Sequence, residues 1–241
     1  MKNILLILLS ILSIGELHSQ AKSIYQSGLS AEENLKAIGN LAPYAIGGIG
    51  WDNRYEGIRG SPRLLDTLLP SYLLIKGQKN YIELPADIDI VQNNLLFIHP
   101  KTGQLLSFPA DMVIELIIVK DGKELVFRTT GAKDFGKEMQ KQTFYQVLHP
   151  GPNEFIKIPY KVFIEADYRK IYSADRRYDE YITNFRYYII GNDAVFHPVQ
   201  LTVKSLSKLF PDKRELIRSS FREKKYSDNE QIVIAFLEKI R

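Results

Sequence analysis

Two carboxylates at alternate positions are the nearest approach to an acid–base pair in this chain. Asp87 and Asp89 alternate with isoleucines, so both carboxylates lie on one face if the segment is a strand. Paired carboxylates act in glycoside hydrolysis and bind calcium. No Asp-x-Asp-x-Asp-Gly calcium loop surrounds them, and the alternation is typical of a half-buried strand. We therefore expect a solvent-facing pair opposite a core face, and a hydrolytic role is the open alternative.

Three histidines beyond the N-terminal segment each precede a proline: His99, His149 and His197. A residue before proline favours extended backbone, so we expect these histidines at strand ends or in turns. None has a second His or Cys at the spacing of a metal site. We interpret them as turn or surface residues, and the sequence predicts no metal and no cofactor. A zinc or general-base role would need the fold to bring two of them together.

Ser61 lies in a Gly-Ser-Pro run that superficially resembles a nucleophile turn. The Gly-x-Ser-x-Gly pattern of a nucleophile elbow is absent. Pro62 also removes the backbone donor that follows the serine, where such a turn needs an oxyanion amide. We expect a turn serine here, and the sequence predicts no catalytic residue.

The region with the strongest indication of function is rich in tyrosine and arginine. Six tyrosines fall from Tyr168 to Tyr188, interleaved with arginine and lysine. Exposed aromatic and arginine side chains are favoured at protein interfaces and on surfaces that stack sugars or bases. The predicted binding residues are Tyr168, Arg169, Tyr172, Arg176, Arg177 and Tyr178. The alternative for Tyr181, Tyr187 and Tyr188 is packing on a strand, with the hydroxyls at the rim.

Residues 1–19 have the anatomy of a secretory signal peptide. Lys2 gives a positive start, residues 4–14 are apolar apart from two serines, and Gly15 and Ser19 are small residues near a cleavage position. The apolar run is shorter than the roughly 20 residues of a transmembrane helix. The rest of the chain has no comparable run and no cysteine. We therefore expect export to the periplasm or the extracellular space, as a soluble protein without a lipid anchor.

The charge distribution disfavours one class of partner. The chain has 241 residues and a formal net charge of +4, and residues 201–241 contain ten Lys/Arg and six Asp/Glu. An excess this small does not form the clustered basic stripe of a nucleic-acid-binding protein. We expect no nucleic-acid partner and an ordinary solvated helix surface in this segment. Attraction to an acidic membrane surface or partner is the alternative.

The order of the elements predicts an α+β fold. It combines an antiparallel, β-rich meander in one or two twisted sheets with a short N-terminal helix and a C-terminal three-helix segment. The strand-like runs are residues 71–75, 81–84, 87–91, 95–98, 105–108, 113–119, 124–130, 143–148, 155–165, 181–190 and 194–201. Tight turns such as Asp121-Gly122 favour antiparallel hairpins over βαβ units.

Helix-start signals occur near the N-terminus and three times near the C-terminus. Ser30 and Glu33 form a capping box, and Gly39 is expected to end that helix. Thr202 and capping-box-like runs at 212–215 and 227–230 predict three amphipathic helices that fold back on the sheet.

The predicted regions are a signal peptide (1–19), an N-terminal helix and glycine-rich tether (20–62), a first β-meander block (63–135), a second β block (136–201) and a helical segment packed on the sheet (202–241).

Short runs from about residue 55 onward carry a family resemblance. They are residues 60–65 (GSPRLL), the hairpin near 76–77 (KG), 105–109 (LLSFP), 144–148 (FYQVL), 166–168 (ADY), 177–179 (RYD), 187–188 (YY) and 206–213 (LSKLFPDK). In these runs the chain resembles a group of uncharacterised exported proteins of Gram-negative bacteria. It departs from their pattern at residues 68–72, where more glycine and charge are expected. That group has no established activity, so the resemblance implies export and carries over no catalytic residue.

Together these features favour a non-enzymatic exported protein of the cell envelope, a binding or assembly module with a protein or glycan partner. One alternative is a secreted hydrolase acting on polysaccharide or peptide, with Asp87 and Asp89 or a histidine in its site. Another is a purely structural component of a larger envelope assembly. The hydrolase predicts turnover that Asp89→Asn reduces without loss of folding, whereas an assembly component predicts co-purification at fixed stoichiometry.

Overall fold

The computed structural model describes residues 28–41, 57–130, 142–165, 178–223 and 228–240. The predicted signal peptide, most of the glycine-rich tether and the predicted binding residues from 168 to 177 lie outside the described residues. Tyr178 lies inside them. The described fold therefore consists of the strands of the sheet, the first helix and the C-terminal helices.

The described residues form eleven strands and four helices. The strands are β1 (Ile58–Arg59), β2 (Leu69–Ile75), β3 (Ile82–Asp89), β4 (Asn94–Ile98), β5 (Leu105–Pro109), β6 (Val113–Lys120), β7 (Lys123–Thr130), β8 (Thr143–His149), β9 (Glu154–Ile164), β10 (Asp179–Ile190) and β11 (Phe196–Val199). The helices are α1 (Ala31–Leu41), α2 (Val203–Leu209), α3 (Arg214–Arg222) and α4 (Asn229–Lys239). None of the described helices is long and apolar enough to span a bilayer.

All eleven described strands belong to one sheet, in the order β1-β10-β9-β8-β7-β6-β2-β3-β4-β5, with β11 also paired to β10. Strands β2 to β5 form one meander and β6 to β11 form another, and the antiparallel pairing of β2 with β6 joins them. Only the short β1–β10 pairing is parallel among the described pairs. The predicted α+β class, with its N-terminal helix and three C-terminal helices, is confirmed, and a single sheet resolves the choice between one and two.

The predicted break within β3 is wrong. Residues 81–84 and 87–91 were expected as two strands, but one strand runs through Pro85. Pro85 lies opposite Pro70 of β2, and the pairing of β3 with β4 begins only at Ala86. The missing proline amide therefore costs the sheet little, because this position is not bonded on both sides.

The structure confirms some of the helix starts predicted from the sequence and contradicts others. The capping box of α1 is confirmed: the Ser30 amide donates to Glu33 Oε2 at 2.9 Å, and the Glu33 amide donates to Ser30 Oγ at 3.3 Å. The helix continues past Gly39 to Leu41. The predicted cap at 212–215 is wrong, because a 3-10 turn over Pro211–Lys213 leads directly into α3 and no side chain caps it. Helix α4 is capped by Asp228, whose carboxylate accepts from the Glu230 amide.

The described residues form two large hydrophobic cores against the sheet and a smaller one of Tyr145, Ile156, Ile158 and Tyr188. The first joins α1 to β2–β7 and reaches Phe144 of β8. Asn93, in the β3–β4 turn, accepts a hydrogen bond from the Phe144 amide at 3.0 Å although three strands separate β3 from β8. This contact requires the first half of the sheet to curl around its core. The second core packs α2, α3 and α4 against Phe155, Ile189 and Val199 of the second half.

The expected solvent exposure of Asp87 and Asp89 is wrong, because both are buried, at 0% and 6% of their surface. The segment before β2, which includes Arg63, Leu64 and Leu65, covers the face of β3 on which the two carboxylates lie, and we call it the covering segment. Arg63 forms an isolated bridge with Asp89, and the Leu64 amide donates to the Ile88 carbonyl at 2.8 Å. Sequence alternation correctly placed the two carboxylates on one face, but it could not reveal that a segment more than twenty residues away lies over them.

Asp87 is the centre of this covering contact. Its Oδ2 accepts from Arg63 Nε at 2.9 Å, and its Oδ1 accepts from the amides of Leu65 and Ile88 at 3.1 and 2.7 Å. Burial raises the pKa of the Asp87 carboxyl, and the two amides and Arg63 offset part of that shift. Asp89 has fewer partners: its Oδ1 accepts from the Gln92 amide at 2.7 Å. Asp87 therefore fixes the covering segment, whereas Asp89 holds a local turn.

Replacing these two aspartates should separate their roles. Asp87→Asn puts an amide group against Arg63 and leaves a largely buried guanidinium unpaired, so we expect a loss of about 2–4 kcal/mol of unfolding free energy. Asp89→Asn keeps the oxygen that accepts from Gln92, so we expect a change within about 1 kcal/mol. Urea denaturation followed by circular dichroism measures both. Equal losses would contradict the assignment of Asp87 as the anchor.

The pH dependence should distinguish Asp89→Asn from the wild type. Burial raises the pKa of Asp89 above its ordinary value of 3.8, so the charged form is disfavoured in the folded protein. That penalty is present at neutral pH and is lost as the pH falls through the folded-state pKa. Asparagine does not titrate, so the wild type should gain stability relative to the variant on acidification. Urea titrations at neutral and mildly acidic pH test this, and a constant difference would oppose it.

Candidate functional site

The candidate site is built on the longest ladder of the sheet. Strands β9 and β10 pair over eleven residues, from Glu154 with Ile190 to Ile164 with Glu180. Strand β8 accompanies β9 only as far as Lys157, and β11 accompanies β10 only from Tyr187 onward. Beyond these points, residues 158–164 and 181–186 run side by side as a two-stranded extension of the sheet. We call this extension the aromatic ribbon.

The aromatic ribbon exposes large apolar side chains. Val162, Phe163 and Phe185 are 38%, 43% and 43% exposed, and Tyr178, just before β10, is 46% exposed. Val162 and Phe163 are adjacent in a strand, so they lie on opposite faces of the ribbon. The rings of Phe163 and Tyr181 lie 4.9 Å apart between centroids. A two-stranded ribbon with apolar groups on both faces is poorly stabilised alone, so this surface is suited to a binding partner.

Cationic groups stack on two rings of the ribbon, the exposed ring of Phe185 and the partly buried ring of Tyr160. Lys157 Nζ lies 4.8 Å from the centre of the Phe185 ring, and the Arg186 guanidinium lies 4.8 Å from the centre of the Tyr160 ring. Stacking on an aromatic face holds each cation at the ribbon. The combination of aromatic and arginine side chains is the composition enriched at protein-binding hot spots.

The covering segment continues into β1, which lies beside the start of β10. Ile58 and Arg59 pair in parallel with Asp179 and Glu180. The Arg59 guanidinium lies 4.9 Å from the centre of the Tyr178 ring. At Gly60, whose φ is +73°, a Cβ would lie 2.9 Å from the Tyr181 carbonyl oxygen, so only glycine fits this close approach. The segment before β2 thus bridges the buried Asp87 and the outer end of the ribbon, where β10 begins.

The ribbon is fixed to the C-terminal helices at its inner end. Glu230, in the first turn of α4, accepts from Lys157 Nζ at 3.0 Å and from the Tyr187 hydroxyl at 2.6 Å. All three side chains are partly buried. Burial and the hydrogen bond to Glu230 raise the pKa of the Tyr187 hydroxyl, so it stays protonated and acts as a donor. Lys157 therefore links the Glu230 carboxylate to the exposed Phe185 ring.

The structure places only one of the predicted binding residues, Tyr178, which is exposed at the start of β10. The other predicted residues belong to residues 166–177, which connect β9 to β10 in the chain and lie outside the described residues. Tyr187 and Tyr188 pack on the sheet, as the alternative for them expected.

Sequence reasoning missed Phe163 and Phe185, because an aromatic residue in a strand pattern is taken as core. One feature of the sequence could have indicated exposure: within residues 160–163, apolar side chains occur on both faces of the strand.

The isolated candidates for chemistry have structural partners. His99 Nδ1 accepts from two amides of the following turn at 3.2 Å, and His149, at the end of β8, is buried rather than a surface residue. His197 lies within β11, 3.5 Å from Asp193. Ser61 donates to Asp66 and accepts from the Arg63 amide, as a turn serine does. Within the described ranges, no group of three His, Cys, Asp or Glu residues is placed to hold a metal ion.

Comparison of the chain with protein families, with curated proteins and with solved structures found no match. The function is therefore inferred from the residues and their geometry. The aromatic ribbon supplies apolar contact area, stacked cations and a rigid attachment to the helices. These properties are favoured at recognition surfaces.

Removing the Glu230 carboxylate tests how the ribbon is fixed. Glu230→Gln leaves Lys157 without its ion pair and weakens the bond to Tyr187, so we expect a loss of about 1–2 kcal/mol of unfolding free energy. Glu238→Gln is the matched control, because Glu238 is exposed near the end of the same helix. Thermal and urea unfolding of both variants give the comparison. A control variant as unstable as Glu230→Gln would contradict the role of Glu230.

Proposed function

We propose that the protein is an exported, non-enzymatic binding module that captures a macromolecule at the cell envelope through the aromatic ribbon. The single observation that carries the proposal is the exposure of Phe163 and Phe185 beside cations stacked on the ribbon's rings. We include Tyr168, Arg169, Tyr172, Arg176 and Arg177 in the proposed surface on their sequence alone, because residues 166–177 connect β9 to β10 in the chain. The predicted signal peptide supports the envelope as the location.

The binding hypothesis accounts for the exposed rings better than the hydrolase alternative does. A hydrolase built on Asp87 and Asp89 needs carboxylates that a polymer can reach. Both are buried, and Asp87 is bonded to Arg63 and two backbone amides. The Asp87 carboxylate is thus engaged in holding the covering segment, and the Asp89 carboxylate accepts from the Gln92 amide of a local turn. Kinship with exported proteins of Gram-negative bacteria remains part of the proposal, on the residues 60–65 and 206–213 that carry the resemblance.

A crosslinked pull-down from the cell envelope, read by quantitative mass spectrometry, tests the proposal with a matched pair of variants. The test variant is Phe163→Ser with Phe185→Ser. The control is Ile98→Ser with Ile114→Ser, because these isoleucines are 42% and 44% exposed on other strands. We expect the wild type and the control to retain a partner and the ribbon variant to lose about tenfold of its capture, since aromatic anchors dominate binding energy.

Two outcomes would contradict the proposal. If the ribbon variant captured the same partner as well as the wild type, the ribbon would not be the site. If both variants lost capture equally, exposed apolar residues in general would be responsible. Circular dichroism of each variant verifies that the fold persists, which the exposure of all four side chains predicts.

A further inference from the structure

A second surface, distant in the sequence from the ribbon, concentrates positive charge in a concave region. A depression of about 620 Å³ is lined by residues of both α2 and α3. Lys204 and Lys208 come from α2, Arg214 and Arg218 come from α3, and Pro211 lies in the turn between the helices. None of the described residues that line it is acidic. We call this surface the basic depression.

The spacing of like charges within α2 and within α3 lowers the stability of each helix. Lys204 and Lys208 are four residues apart, as are Arg214 and Arg218, so each pair lies on one helix face about 6 Å apart along the axis. Like charges at this spacing destabilise a helix. Arg218 is partly neutralised, because its Nη1 lies 2.8 Å from Glu215 Oε1. The other three have no ion pair with any described residue. A bound anion would remove this repulsion, which the fold itself leaves in place.

The positive surface continues across α2 toward the sheet. A larger depression of about 950 Å³ shares Lys204 and Lys208 with the basic depression and adds Arg186 of β10 and His197 of β11. The lysines and arginines of the two depressions together form a path of cations from α3 over α2 to Arg186 of β10. A ligand with one anionic group needs only a part of this path. A chain with repeated anionic groups matches its whole length.

We propose that this path binds a linear anionic glycan, a saccharide chain that carries sulfate, phosphate or carboxylate groups at intervals. The preference for a glycan over a nucleic acid rests on the proposed export. The preference over a membrane rests on the helices: Leu206 and Ile217 are buried in the core. The described surface of α2 and α3 beside the path therefore lacks the exposed apolar anchor by which interfacial helices enter a bilayer. The four cations of α2 and α3 lie outside the aromatic ribbon, and the path shares only Arg186 and the adjacent Phe185 with it.

Heparin, a sulfated linear glycan, is the test ligand, and the mature chain is titrated with it calorimetrically at low and at physiological salt. The path variant combines Lys204→Gln, Lys208→Gln, Arg214→Gln and Arg218→Gln. The control variant combines Lys76→Gln, Lys79→Gln, Lys101→Gln and Lys120→Gln, which removes the same charge from exposed lysines of the first β block. A milder variant, Lys204→Gln with Lys208→Gln, keeps the test valid if the fourfold variant is poorly folded.

We expect heparin binding that weakens with salt, because exposed charge pairs are screened. The path variant should lose about tenfold or more of the affinity, since four modest contributions are removed together. The milder variant should lose part of it, and the control variant should bind about as well as the wild type. Phe163→Ser should also retain heparin binding, so failure of the proposed ribbon function and failure of this inference give different results.

Four results would overturn the inference. They are the absence of heparin binding, an equal loss in the path and control variants, binding of phosphatidylglycerol vesicles without binding of heparin, and binding of inorganic phosphate as tightly as heparin. The second would show that net charge alone is responsible. The third would assign the surface to a membrane, and the fourth would assign it to a single anion.

Discussion

The pairing of β9 with β10 is the interaction on which the rest of this protein's surface depends. Its inner end supplies Phe155 and Ile189 to the core beneath the three C-terminal helices. Its outer end carries the exposed rings of Phe163 and Phe185. Because the ladder is continuous, the packing of the helices against its inner end also fixes the orientation of the ribbon at its outer end. Without that anchored end, a two-stranded ribbon would be only marginally stable in water.

Polar contacts attach the β9–β10 ladder to other elements at two places. Glu230 joins α4 to Lys157 and Tyr187 at the inner end. Asp87 holds Arg63, and the segment that includes Arg63 leads back to β1 beside the start of β10. Both contacts pair a carboxylate with a cation that is largely removed from solvent. The chemistry that looked catalytic in the sequence is thus used to position a surface, whereas Lys204, Lys208 and Arg214 on α2 and α3 have no ion pair with a described residue.

Local signals in the sequence were sufficient for most elements but not for their arrangement. The Ser30 cap and the Asp121-Gly122 hairpin depend on neighbouring residues, so both could be predicted. The pairing of β2 with β6 and the burial of Asp87 depend on residues far apart in the chain, and no local pattern encodes them. The exposure of Phe163 was missed for a similar reason. Its strand looks like any other until it is known that β8 ends its pairing at Lys157.

Site-specific photo-crosslinking in cells that express the protein tests most directly whether the ribbon is a recognition surface. Benzoylphenylalanine is placed at Phe163 on the ribbon and, as the comparison, at Ile114 of β6, which is exposed to a similar degree, 44% against 43%. The account predicts a discrete crosslinked macromolecule from position 163 and none from position 114. The same product from both positions, or no product from position 163, would contradict a recognition surface on the ribbon.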